Sequence, residues 1–247
     1  MRRIVILILT VGATLVAQAG DGHLALRARV GYNLGATTPL GMPASVSSID
    51  AYRLTPSVAV GVDMAMPLGA RWLLAAGLRF ENKAMDADIT AQGYHMELRR
   101  ASESIEGLFT GKVSQQVSQW MLTVPVYAVY ECSPRWRLKA GPYLSLLVGR
   151  DFSGIASDGY LRQGGPTGPK IAIGDTPGTW ATYDFSDEMR RVQVGLMLGA
   201  DWKPMQRIGF SLDVGIGLTG IFPSDFATVE QTLYPIYGTV GVFYALD

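Results

Sequence analysis

The sequence predicts an all-β protein: an eight-stranded antiparallel up-and-down transmembrane β-barrel. Three observations carry this expectation. Apolar residues alternate with polar or small ones at period two in eight segments of 10 to 15 residues. After residue 19, no stretch reaches the roughly 18 uninterrupted apolar residues that a membrane helix requires. The connections between segments alternate between short and long, as they do when short turns lie on one side of a membrane and loops on the other.

The chain has 247 residues and opens with a segment that reads as an address rather than as structure. Arg2 and Arg3 form a basic start, residues 4–16 are apolar, and Ala17-Gln18-Ala19 has the small-x-small pattern cut by signal peptidase. The apolar run is shorter than the roughly 20 residues of a spanning helix, so an N-terminal anchor fits less well. The expected organisation is a signal peptide over 1–19 and one outer-membrane β-barrel domain over 20–247. Gly20, not a cysteine, directly follows the cut, which argues against a lipid-anchored lipoprotein.

The strands follow in order. Over 24–34, Leu24, Leu26, Ala28, Val30, Tyr32 and Leu34 share one parity, and over 54–66 Val58, Val60, Val62, Met64 and Met66 do so. Segment 72–81 sets Trp72, Leu74, Leu78 and Phe80 against Arg79 and Glu81. Segments 117–131 and 136–149 carry Trp120, Leu122, Val124 and Tyr130, then Trp136, Leu138, Leu144 and Val148. Segments 190–202, 208–220 and 234–246 repeat the pattern with Val194, Leu196 and Trp202, with Phe210, Leu212 and Ile216, and with Val240, Val242 and Tyr244. Each is long enough for a tilted membrane strand of about 9–11 residues.

Residues 67–71, 132–135 and 203–207 read as tight turns, and 35–53, 82–116, 150–189 and 221–233 as long external loops. Trp72, Tyr130, Trp136 and Trp202 lie within two residues of a short turn on the apolar parity, and Tyr244 has the equivalent place near the C-terminus. Together they are the expected periplasmic aromatic girdle. Tyr32, Phe80, Trp120 and Phe222 are candidates for the outer one. Pro125 and Pro142 fall inside strands, where a missing donor requires a bulge or a local break.

The opposite parity holds Arg27, Arg29, Asp63, Arg79, Glu81, Arg137, Lys139, Arg191 and Asp213, with Glu131 and Asp201. An eight-stranded barrel is only wide enough for side chains or one small ligand. The expectation is a lumen charge network closing the barrel, with a narrow ion path as the alternative. A soluble lipocalin-like barrel would show the reverse polarity.

The hairpin carrying Val124-Pro125-Val126 and then Ala140-Gly141-Pro142-Tyr143 resembles the PorT-like outer-membrane β-barrel family of Bacteroidetes. Gly217-Leu218-Thr219-Gly220 and the ending Gly241-Val242-Phe243-Tyr244 are similar to its seventh and last strands. The match departs at the terminal Asp247, where family members often end in an aromatic residue, and at Tyr127-Ala128-Val129-Tyr130, where a basic residue commonly follows the proline stretch. The resemblance implies fold and location and leaves activity open.

Composition excludes several classes. The 21 basic and 21 acidic residues balance, so electrostatic binding of nucleic acid is not expected. One cysteine excludes an internal disulfide framework, and His23 and His95 are too few for a zinc site. His95, near Glu97, Ser102, Glu103 and Ser104, is the only candidate for a Ser–His hydrolase, and its surroundings read as a solvated loop. Residues 164–170 lack the spacing of a phosphate loop. No catalytic, cofactor or metal residues are assigned. Phe109, Trp180, Tyr183, Phe185 and Phe226 are loop aromatics that either pack on one another or meet a partner. The expected function is a non-enzymatic scaffold or interaction protein, in contact with outer-membrane lipid and with a protein partner at its extracellular loops. The alternatives are a component of a secretion apparatus, a small-solute channel or a lipid-modifying enzyme.

Overall fold

The computed structural model describes residues 25–41, 45–53, 55–100, 103–224, 226, 228 and 231–246. The proposed signal peptide, His23, Leu24, Leu54 and Ser102 lie outside the described residues. The elements are β1 (Ala25–Pro39), β2 (Val46–Arg53), β3 (Val58–Pro67), β4 (Trp72–Arg100), β5 (Glu103–Glu131), β6 (Trp136–Gln163), β7 (Lys170–Ile173), β8 (Ala181–Asp184), β9 (Val192–Trp202), β10 (Ile208–Gly217) and β11 (Leu233–Ala245), with one 3-10 turn at Ser186–Glu188.

Eight of these strands form a closed antiparallel ring in the order β1, β3, β4, β5, β6, β9, β10, β11. Closure is made by the first and last strands, paired from Arg27↔Ala245 to Pro39↔Leu233. Every ring strand therefore has two neighbours across the band, as crossing a bilayer requires. The three short turns sit where the sequence puts them: Leu68 N–H bonds to Trp72 O at 2.8 Å in the first and Cys132 N–H to Trp136 O at 3.0 Å in the second, and Lys203 N–H bonds to Arg135 O at 2.8 Å, tying the third to the second.

The apolar parity faces outward. Leu78, Leu138 and Leu212 are 50%, 51% and 53% exposed, while Arg27 and Arg79 are buried inside. A soluble barrel would have the opposite arrangement. The outer wall is thus an oily band against lipid.

The long connections differ from the expectation. Residues 82–100 and 103–116 are strand: β4 and β5 run on as one hairpin, paired from Trp72↔Tyr130 to Arg100↔Glu103. The alternation persists there, but its polarity reverses once the wall leaves lipid, so a search for apolar outward residues ends at Phe80. Residues 92–93 make a bulge between the Ala91 and Tyr94 rungs, and Gly93 takes φ 66°, a left-handed conformation that glycine adopts cheaply. Likewise β6 continues to Gln163 and carries β7 and β8 on its upper part, and β8 in turn reaches the far end of β4 through Arg99↔Thr182. Residues 35–53 contain the end of β1 and all of β2, which pairs with β4.

Pro125 and Pro142 break the ladder locally without shifting its register. Rungs are missing between Ala76↔Val126 and Arg79↔Thr123 on one side of β5, and between Pro125↔Tyr143 and Ala128↔Ala140 on the other. The expected irregularity is therefore a gap in the ladder, with no inserted residue.

Candidate functional site

Inside the ring, six strands bring their inward charges to one level. Asp213 on β10 is contacted by Arg29 at 2.9 Å, Arg79 at 3.1 Å and Lys139 at 2.8 Å. Asp201 on β9 receives Lys139 at 2.6 Å and Arg27 at 3.3 Å, and Arg29 reaches Asp63 at 3.0 Å. The guanidinium of Arg79 also donates to the Tyr127 hydroxyl, and that of Arg27 lies 5.1 Å from the Phe243 ring centre. Glycine leaves the space for this: a Cβ at Gly199 would lie 2.0 Å from Asp213 Oδ1 and 2.6 Å from Lys139 Cε. Below this tier a cavity of only about 20 Å³ remains, lined by Arg27, Asp63 and Lys139 among others, enough for about one water.

Above the ionic tier lies a second one. Glu81 pairs with Lys83 at 3.2 Å and accepts from Thr123 at 2.6 Å, and the Thr123 and Ser145 hydroxyls are 2.8 Å apart. A third, uncharged tier follows. Gln193 donates to Gln119 at 2.7 Å, and Gln119 donates to Thr37 at 3.1 Å. Gln119, Gln193 and Thr123 are fully or almost fully buried. Charge held this far from water persists only when paired, and here the pairs are multiple.

Arg27, Arg29, Asp63, Arg79, Lys139 and Asp213 thus meet in one cluster, and Glu81 sits one tier above. Two predicted members do not join. Arg191 is exposed, because β9 starts at Val192 and the inward parity does not extend to the residue before it. Arg137 pairs with Glu131 across the hairpin at the turn-side rim, partly exposed. Lys83 and the neutral members Asn33, Thr123, Gln119 and Gln193 were missed. Lys83 and Gln119 were legible as inward parity continuing past Glu81 and through 117–131.

The aromatics near the short turns lie on the outer wall, with Trp72, Trp136, Trp202 and Tyr244 exposed and Tyr130 half-buried. They touch across strands: Trp72 and Tyr130 at 5.0 Å, Trp136 and Trp202 at 6.1 Å between ring centres. At the other edge Phe80 and Trp120 stack at 5.2 Å. Phe222 is not part of that edge. It is buried against Phe152 at 4.9 Å, because β10 ends at Gly217 and the chain turns inward.

Beyond the third tier the interior becomes apolar. Met85, Ala87 and Ala91 of β4, Val113 and Val117 of β5, and Phe152, Ala156 and Leu161 of β6 form one buried cluster with Tyr183, Phe185 and Phe222. Phe109, Tyr183 and Phe185 are buried, and Phe226 stacks on Phe222 at 4.7 Å, so these loop aromatics pack on the extension's own core. Trp180 remains half-buried. Burial pushes the Tyr183 phenol well above its usual range, which keeps it neutral. Beside this cluster lies a cavity of about 310 Å³, bounded by β1, β2 and β4. His95 lies 3.4 Å from Glu106 on the outer hairpin, while the Ser104 hydroxyl donates to Glu97 instead.

Solved structures similar to the chain include the attachment invasion locus protein Ail of Yersinia pestis, with 8% identity, TM-score 0.35, 92% of this chain and 100% of that one covered. Neisserial surface protein A gives 8% identity, TM-score 0.35, and 90% and 96% coverage. CarO2 of Acinetobacter baumannii gives 11% identity, TM-score 0.43, and 90% and 99% coverage. These likenesses are distant. No curated protein matches the chain. The outer membrane protein beta-barrel domain matches residues 16–223, which is most of the chain and all ring strands but the last. With the closed eight-stranded ring and its oily outer wall, this match shows that the chain belongs to the outer membrane protein beta-barrel domain family and is an outer-membrane β-barrel.

Proposed function

We propose that this barrel is a non-enzymatic interaction protein that works through its extracellular extension and does not conduct. The carrying observation is the pairing of a lumen stacked shut in three tiers with a wall that continues, as β4, β5 and β6, well past the oily band. A barrel needs no such extension to span a membrane. An extension with its own buried core holds its outer face in a fixed position, which suits recognition of a partner.

Finer elements of the reading have sequence support. The Val124-Pro125-Val126 and Ala140-Gly141-Pro142-Tyr143 hairpin supports a PorT-like barrel of Bacteroidetes. Residues 1–19 support export by a cleaved signal peptide, and N-terminal sequencing of membrane-extracted protein should begin at Gly20. The girdle of Trp72, Tyr130, Trp136, Trp202 and Tyr244 supports a periplasmic lipid boundary at that height. Balanced charge supports no nucleic-acid partner.

Two measurements test the function. In planar bilayers the protein should give no conductance steps, and a steady ohmic current would overturn the closed lumen. In cells, a photo-crosslinking residue at Lys112 or Gln116, on the outer face of the extension, should give a discrete protein adduct. One at Leu212, on the oily wall, should not. Adducts absent from every extension position, or equally frequent at Leu212, would overturn the interaction reading.

A further inference from the structure

The ring is complete in the membrane but not above it. Asn33 N–H still bonds to Ser57 O at 2.7 Å, the last backbone bond between β1 and the β3 side. Above it β1 pairs with β11 alone, from Leu34↔Gly238 to Pro39↔Leu233. The strand facing it across the interval is β2, which pairs with β4. Among the described residues no ladder joins β1 to β2 or β4. Side chains meet the exposed strand edge instead: Tyr52 Oη donates to Gly35 O, and Thr37 N–H donates to Met85 Sδ at 3.2 Å. A strand edge normally demands a partner or protection. Here the protection consists of single side chains that rotate, not of a ladder that must unzip.

This seam opens on the cavity of about 310 Å³. The cavity's described lining contains no charged side chain, and Met85, Ala87, Ile89, Ala91 and Val113 make much of it. Of its lining, Ala91, Phe152, Met96 and Val113 are at most 4% exposed, so the space sits against a well-packed core. Towards the periplasm the three polar tiers close the way. At the outer rim, Leu40 is 69% and Ile49 56% exposed. Just below, Tyr32 lies on the oily wall, its hydroxyl 3.2 Å from Thr55 O. An apolar molecule leaving the membrane surface therefore meets an apolar rim, a side-chain gate and an uncharged, largely apolar chamber in that order.

We infer that this chamber binds one neutral hydrocarbon chain, admitted sideways through the seam between β1 and β2. An apolar cavity of about 150 Å³ holds a benzene ring, so this one suits a chain of about ten carbons. A charged head group would find no counter-ion inside and would stay at the rim near Tyr52. The ligand is held and not passed on, because the floor is the sealed lumen.

The test uses the full protein in phosphatidylcholine nanodiscs with two photoreactive probes: a neutral twelve-carbon alcohol bearing a diazirine, and a phosphatidylcholine bearing the diazirine in one acyl chain. Adducts are mapped by mass spectrometry. At least one probe should label the inward residues Met85, Met96 or Val113, and which probe does so identifies the source as free molecule or membrane lipid. A87W and A91W, which fill the chamber, should lower inward labelling at least tenfold and leave labelling of Leu122 and Leu138 on the outer wall unchanged. In the unaltered protein, excess 1-dodecanol should compete the inward adducts away, which keeps the test sound if a variant misfolds. Labelling confined to the outer wall with both probes, or inward labelling indifferent to competitor, would overturn the inference. Neither conductance nor partner cross-links enter the result, so this site and the interaction reading fail separately.

Discussion

One strand passes through two environments. Within the oily band β4 sends Arg79 and Glu81 inward and leaves Leu78 and Phe80 outside. A few residues later the same parity carries Met85 and Ala87 inward, while Asp86 and Asp88 face out towards β2, where Arg53 pairs with Asp88. The backbone is continuous and the alternation unbroken. What changes is the solvent outside. Against lipid, oily side chains cost nothing outside and polar ones must find partners inside. Against water, the hydrophobic effect is restored and the inside becomes the place for oil. The lumen is therefore held by ion pairs and hydrogen bonds, and the extension by apolar packing. The two halves should respond differently to the same kind of substitution.

The largest effect is expected in the lumen. D213A leaves Arg29, Arg79 and Lys139 facing one another, and removing one partner from buried pairs costs about 3–5 kcal/mol. Urea titration of the lipid-reconstituted barrel should show that loss or a failure to fold. A cost near that of a surface change would mean the charges are solvated and the plug is not sealed. F152A removes the ring at the centre of the extension's aromatic cluster, at a cost of about 3–4 kcal/mol. Hydrogen exchange should rise across β7, β8 and the upper β6, while the ring between Trp72 and Phe80 stays protected. Uniform loss of protection would merge the two halves into one cooperative unit.

A matched pair probes the outer wall. L212R places a charge in the oily band and should cost about 2–4 kcal/mol. S114R, on the outward face of β5 in the extension, should stay within about 0.5 kcal/mol. Similar costs would mean that lipid covers the extension as well. The smallest effect is Y143F. The Tyr143 hydroxyl is buried and unpartnered, with the Lys83 ammonium 5.2 Å from the ring centre. Removing it should be neutral or stabilise by a few tenths of a kcal/mol at most, about 0.3 kcal/mol. A clear destabilisation would reveal a hydrogen bond, such as one to an ordered water.

Much of the ring was legible because lipid imposes a simple rule. Each of the eight segments holds a ring strand or part of one, each of the three tight turns contains a proline, and Arg29, Arg79, Lys139 and Asp213 share the inward parity. The extension was not legible, because β4 and β5 keep their period over 82–116 but exchange which parity is apolar. A rule tuned to oily outer faces stops at Phe80, although Ala84 to Thr90 still alternates. Parity also fails at strand ends, which is why Arg191 is solvent-exposed and Phe222 is buried.

By itself the sequence determined, along the oily band, which residues face lipid and which face the interior, since a two-residue period and a low-dielectric surround leave one workable assignment there. It also determined strand number, through the order of short and long connections. Only the tertiary structure decided which charge meets which, because Arg29 and Asp213 lie 184 positions apart and are joined by ring closure. The same closure decided where the wall is left unladdered: β2 pairs with β4 and not with β1, and that choice of edge opens the seam beside an apolar chamber.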